Sequence, residues 1–211
     1  MAHDSPADLL ALHAIRIAGM ASTERAAARF GLPLAQTQEL LEDDRARGFV
    51  RRVEFVDLAG WTLTESGRQE DERRLSEELE LTGVRPVVQA FAEGFDTLNA
   101  RLLTAVTDWQ LRPQPWDHLA ANDHTDYRWD DRVLWEFTRI GELLTAVCDP
   151  LSAALRRFAG YPQRYAAAMA RVADGERSWL DRVGPDSAHG VWLELHEDLR
   201  STLGSVPGHR P

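Results

Sequence analysis

Arg45, Arg47, Arg51 and Arg52 form the densest cluster of side chains in this chain suited to one kind of chemistry, the neutralisation of a polyanion. A guanidinium is charged at every working pH, and its planar fork matches the oxygens of a phosphate. Several such groups along one strand would displace condensed counterions, the main source of sequence-independent affinity for a duplex. The plainer alternative is a solvated strand edge, where charge discourages pairing with other chains. Just upstream, Gln36 and Gln38 could read adenine, but Glu39, Glu42 and Asp43 share their helix face and would repel phosphates.

A second set of candidates lies in the C-terminal part. Six of the seven tryptophans follow residue 108, and beside them stand two polar groups. One is the run Asn122-Asp123-His124-Thr125-Asp126. The other is His189, Trp192 and His196, spaced i, i+3 and i+7 as on one helix face. Asn99 and Asp108 interrupt a long apolar helix between them. Three readings stay open. Asp123, His124, His189, Trp192 and His196 line an effector pocket with Asn99, Asp108 and Trp109, apolar with a few polar anchors. Or the histidines hold a metal for catalysis, although i and i+7 stand about 10 Å apart along a helix axis. Or the aspartates cap helices and the histidines are ordinary half-buried groups. No Gly-rich phosphate loop and no nucleophile-elbow pattern occurs.

The elements that must position these residues are mostly helical. Leu9, Leu12, His13, Ile15, Arg16, Ile17 and Met20 predict a first helix ending near Gly19. Ser22 or Thr23 caps a second, which stops at Gly31, and Leu32-Pro33 makes a turn. A third runs from about Leu34 to Arg47 with Thr37, Leu40 and Leu41 inward and Gly48 as its cap; Asp44 takes a slot where an apolar residue is expected. Phe49–Phe55 and Trp61–Leu63 alternate as two strands joined by Asp57-Leu58-Ala59-Gly60. Thr64 opens a charged helix that breaks at Gly83. A long helix to Gln110, an irregular loop over Leu111–Arg128 and a helix over Asp130–Val147 follow. Asp149-Pro150 signals a new helix that stops at Gly160. Helices over Pro162–Ala173 and Ser187–Leu203, the latter capped by Asp186, complete the pattern.

Residues 9–75 resemble the winged helix-turn-helix domain of MarR-like bacterial transcriptional regulators. The residues that carry the resemblance are Leu40-Leu41, Arg47-Gly48-Phe49-Val50 and the exit Trp61-Thr62-Leu63-Thr64-Glu65-Ser66-Gly67-Arg68. The remainder is similar to a group of actinobacterial proteins usually labelled transcriptional regulators, through Asn99–Leu103, Thr107–Gln110, Asn122–Asp126 and Trp192–Leu199. The resemblance implies a DNA-binding unit over residues 1–75 and a helical dimerisation or effector unit over residues 76–211. The expected fold is mainly α with a small β wing, the winged helix-turn-helix being followed by an irregular helical domain.

Composition bounds the rest. The net charge of −10 argues against nucleic-acid binding, but it is unevenly placed: residues 1–75 carry 10 arginines against 13 carboxylates, and the remainder 14 against 21. No apolar run of about 18 residues predicts a membrane span, and Met1–Pro6 has no signal-peptide character. A single Cys148 excludes an internal disulfide. The expectation is a cytoplasmic homodimer that binds double-stranded DNA and responds to a small-molecule effector, with no cofactor, no metal and no catalysis. Its rivals are a winged helix that meets a protein and regulates a partner enzyme, and a metal-dependent enzyme built on the C-terminal histidines.

Overall fold

The structure is a computed structural model that describes residues 2–55, 58–182, 184 and 186–204. It is mainly helical with one two-stranded antiparallel sheet, and the chain divides into two compact units. The first comprises residues 1–89, 152–158 and 193–211, the second residues 90–151 and 159–192. This division differs from a cut after residue 75. The charged helix that follows the sheet turns its few inward residues to the first unit, and part of the last helix returns there.

In the first unit, α1 (Ala7–Ala18), α2 (Thr23–Phe30) and α3 (Leu34–Ala46) precede β1 (Val50–Phe55), β2 (Leu58–Leu63) and α4 (Glu65–Thr82). Their local causes are those read from the sequence. The Ser22 hydroxyl accepts the Arg25 N–H at the start of α2, and Gly31 closes it in the left-handed region. Gly48, at φ 80°, ends α3 by letting the Phe49 N–H reach the Asp44 carbonyl. Leu12, Ile15, Ala26, Leu41, Val50, Trp61 and Leu63 make one apolar core from the three helices and the ribbon. Thr37 and Leu41 are buried as expected, whereas Leu40 is only half-buried.

The ribbon pairs Val50 with Leu63, Arg51 with Thr62, Arg52 with Trp61 and Val53 with Gly60. Leu58, Ala59 and Gly60 therefore belong to β2 and not to the connecting turn; Asp57 of that expected turn lies outside the described residues. Gly60 serves close approach. The Trp61 N–H donates to the Ala21 carbonyl at 2.8 Å, the Trp61 carbonyl accepts the Ala21 N–H at 3.1 Å, and a Cβ on Gly60 would stand 2.9 Å from the Ala21 oxygen. A turn-forming residue type was here required by packing.

The exit from β2 is locked onto the end of α3. The Thr64 hydroxyl caps α4 by accepting the Gly67 N–H, and it donates to the Gly48 carbonyl at 2.6 Å, which also accepts from Ser66. Gly67 passes so near β1 that a Cβ would lie 1.9 Å from the Phe49 oxygen. The Leu-Thr-x-Ser-Gly sequence thus has a mechanical reason.

In the second unit, most of α5 (Arg85–Gln110) and α6 (Tyr127–Ala154) run with α7 (Tyr161–Ala173) and the start of α8 (Ala188–Leu203). Phe95, Leu102, Val133, Phe137, Ile140, Tyr165, Val191 and Trp192 are buried among one another's elements, while Val87 and Leu103 of the apolar series on α5 are exposed. Gly141 leaves room for the Tyr165 ring, whose hydroxyl donates to the Phe137 carbonyl at 3.0 Å. Three expectations are corrected. First, α6 begins at Tyr127 because the Asp126 carboxylate accepts the Arg128 and Trp129 N–H groups. Second, α6 continues through Pro150 to Ala154, so no new helix starts there; the proline removes one N–H but does not end a helix whose apolar face (Leu144, Cys148, Leu151) stays buried across it. Third, the Ser187 hydroxyl, not Asp186, accepts the Gly190 N–H at the head of α8.

Candidate functional site

Residues Arg45 to Arg52 straddle the α3–β1 junction, and all four arginines are exposed. Their surroundings differ. Arg45 is paired with Glu42 on its own helix at 2.7 Å. The side chains of Arg47 and Arg51 make no hydrogen bond or ion pair among the described residues. The period of a strand sends Arg51 and Arg52 to opposite faces of the ribbon, and the Arg52 guanidinium lies 5.0 Å from the centre of the Trp61 ring. Arg51 is thus the freer of the pair.

Outward on α3, Gln36 is exposed, as are Glu39 and Asp43. Gln38 is half-buried: its carbonyl accepts the Thr23 hydroxyl at 2.7 Å and its amide donates to Glu42 at 3.1 Å. Thr23 in turn accepts the Trp61 indole N–H, so Gln38 ends a chain of hydrogen bonds that starts in the core. Asp44 is buried, 3.7 Å from the Arg74 guanidinium, with its Oδ2 lacking a hydrogen bond. Burial raises its pKa to about 6 against the opposing charges of Arg74 and Arg47.

The most concentrated polar cluster is elsewhere in the first unit. His13, on the buried face of α1, has Nδ1 3.2 Å from both Asp71 oxygens and Nε2 3.1 Å from Asp198 Oδ1. Asp198 also accepts from Arg157, which donates to Glu78 at 3.0 Å and Thr202 at 2.8 Å. Arg16 bridges Glu72 and Glu197, and Arg25 and Arg29 reach Glu194. Burial works against charge on Asp198, but Arg157 and His13 outweigh it and hold the carboxyl far below its ordinary range. His13 was readable as part of an apolar helix face and was missed as a polar centre. Its partners had a signal: Asp71, Leu75, Glu78 and Leu79 sit at i, i+4, i+7 and i+8, so two carboxylates share the apolar stripe of an otherwise charged helix.

In the second unit the polar residues anticipated as one pocket form two sets. The Trp192 indole donates to Asn99 Oδ1 at 2.9 Å and stacks on Phe95. Separately, the His124 ring lies 4.4 Å from that of Trp109, and its Nδ1 is 3.0 Å from Asp130, a buried carboxylate that also accepts from Asn122 and Arg177. His124 holds φ 56°, a left-handed conformation rare outside glycine. No hydrogen bond or ion pair among the described residues joins the sets. Asp108 faces Arg132 at 3.6 Å and gives its carbonyl to the Trp129 indole. Asp123 is exposed and turned to Thr125, whose hydrogen bonds lower its pKa.

The histidines of α8 do not share the environment of Trp192. The buried sector of that helix is centred on Leu195 and Leu199, which leaves His189 on its rim, half-buried, and His196 exposed. Burial lowers the His189 pKa against the charge of Asp181. Among the described residues, no three His, Cys, Asp or Glu side chains are grouped to hold a metal ion. No helix there is long and apolar enough to cross a membrane.

Comparison with protein families, with curated proteins and with solved structures gives no match to this chain.

Proposed function

We propose that the chain is a transcriptional regulator that binds double-stranded DNA through a MarR-like winged helix-turn-helix, formed by α2, α3 and the β1–β2 ribbon. The observation that carries the reading is the contrast among arginines of the first unit. Arg16, Arg25, Arg29, Arg73, Arg74 and Arg157 are engaged by carboxylates, whereas Arg47, Arg51, Arg52 and Arg68 are exposed and make no ion pair among the described residues. Guanidinium groups left unneutralised beside a helix-and-ribbon junction are what a phosphate backbone requires. The protein would work as a homodimer, because a winged helix reads one half-site. A small effector would meet the His124 set, where Asp130 orients the ring and leaves Nε2 for a ligand.

The test is a mobility shift with genomic fragments over a salt series. Binding should appear first at low salt, and Arg47→Ala with Arg51→Ala should weaken it equally for all sequences and reduce the salt slope by about 2, at roughly 0.9 per lost phosphate contact. An unchanged slope would remove both arginines from the interface. The second reading, a winged helix that meets a protein, is favoured by one feature: Glu39 and Asp43 are exposed on α3 while Gln38 is held by Thr23 and Glu42. Absence of any shift at low salt would select it.

A further inference from the structure

We infer that His13 is a proton-operated latch: as the imidazolium it holds residues 193–203 of α8 against α1 and α4, and loss of one ring proton releases that segment. The geometry requires two N–H groups. An ionised carboxylate only accepts, and both ring nitrogens face carboxylates at 3.1–3.2 Å. A neutral ring has one N–H, so either tautomer would set a lone pair against Asp71 or Asp198. All three side chains are fully buried, so no solvent replaces the lost bond.

The cations around the ring are already shared among other carboxylates, and none of them supplies the ring with a second N–H. On α1 itself Arg16 is taken by Glu72 and Glu197; from α2, Phe30 stacks on the ring, and Arg29 lies with Glu194 and also adds its charge to Asp198. On α4, Asp71 and Glu78 add negative charge. From the 3₁₀ turn Arg156–Phe158, Arg157 already serves Glu78, Asp198 and Thr202. Losing the imidazolium therefore leaves buried carboxylates in excess on α4 and α8, which drives those helices apart.

Burial disfavours the charged ring, but Asp71 and Asp198 prevail and raise its pKa from 6.5 to about 9. A raised value in the latched state means that the latch is fully engaged below 6.5 and is lost as pH rises through about 9. Linkage between those two values makes the opening constant of the segment rise about 70-fold from pH 7 to pH 10.

Amide hydrogen exchange on the full chain at both pH values, corrected for the intrinsic base catalysis of exchange, reads this constant directly. The expected result is a rise of about 70-fold in residues 193–203, with the β1–β2 amides unchanged. A pH-independent corrected rate in that segment, or an equal rise throughout the chain, would overturn the latch. His13→Gln should open the segment at pH 7 as far as pH 10 opens the wild type, and should show no further pH response. Should that variant fail to fold, ring ¹⁵N shifts of the wild type decide: two protonated nitrogens at pH 7 support the latch, and one bare nitrogen overturns it.

Discussion

Replacing Asp44 by asparagine should stabilise this protein, although it removes a charge near Arg74. Asp44 is 3% exposed, its Oδ2 has no hydrogen bond, and Arg74 stands 3.7 Å from Oδ1 while already bonding Glu70 at 2.7 Å. The rise of its pKa from 3.8 to about 6 measures how far the folded state disfavours the carboxylate. At 1.36 kcal/mol per pH unit this is about 3 kcal/mol for the ionised form, an upper value once local relaxation is allowed. The sign follows: a carboxyl with a raised pKa binds its proton more tightly when folded, so its contribution falls as pH climbs from 3.8 through 6 and is level above. Asp44→Asn removes this penalty and keeps the shape. Urea unfolding of both proteins should show the variant ahead by about 1–3 kcal/mol at pH 8, with the gap closing towards pH 4. The melting temperature should rise by about 2–4 °C per kcal/mol for a chain of this size. A variant no more stable than the wild type at pH 8, or a gap independent of pH, would refute the account of Asp44.

Gly67→Ala should cost more than about 3 kcal/mol in urea unfolding, because its Cβ would lie 1.9 Å from a backbone oxygen that only a shift of β1 could relieve; a loss below 1 kcal/mol would show that the strand yields. Arg157→Met should cost about 3–5 kcal/mol at pH 7 by leaving Glu78 and Asp198 buried without their shared cation, and a near-neutral effect would show that the cluster is hydrated.

How much was legible can be argued residue by residue. Both ends of α2 and of α4 were, since Ser22, Gly31, Thr64 and Gly83 act on backbone groups within four residues and need no tertiary information. The Pro150 and Gly60 readings failed for the opposite reason. A proline's cost is local, but whether a helix continues depends on the apolar face buried beyond it, and the use of Gly60 is the approach of Ala21, distant in sequence. The candidate surface at Arg47 and Arg51 was visible as composition, whereas their lack of ion pairs was not, because it depends on which carboxylates the other arginines meet.

By itself, the sequence determined what is periodic or local: the first four helices, the ribbon that carries Arg51 and Arg52, the caps at Ser22 and Thr64, and the mainly helical class. Tertiary structure alone decided the pairings across distance. It set Asp198 against His13 across 185 positions, bound Arg157 to Glu78 across 79, and drew Trp192 to Asn99 while placing His196 at the exposed side of the same helix. The reason is physical. A buried charge is tolerated only where partners converge on it, and convergence of α1, α4, α8 and the 3₁₀ turn is a property of packing that no local pattern records.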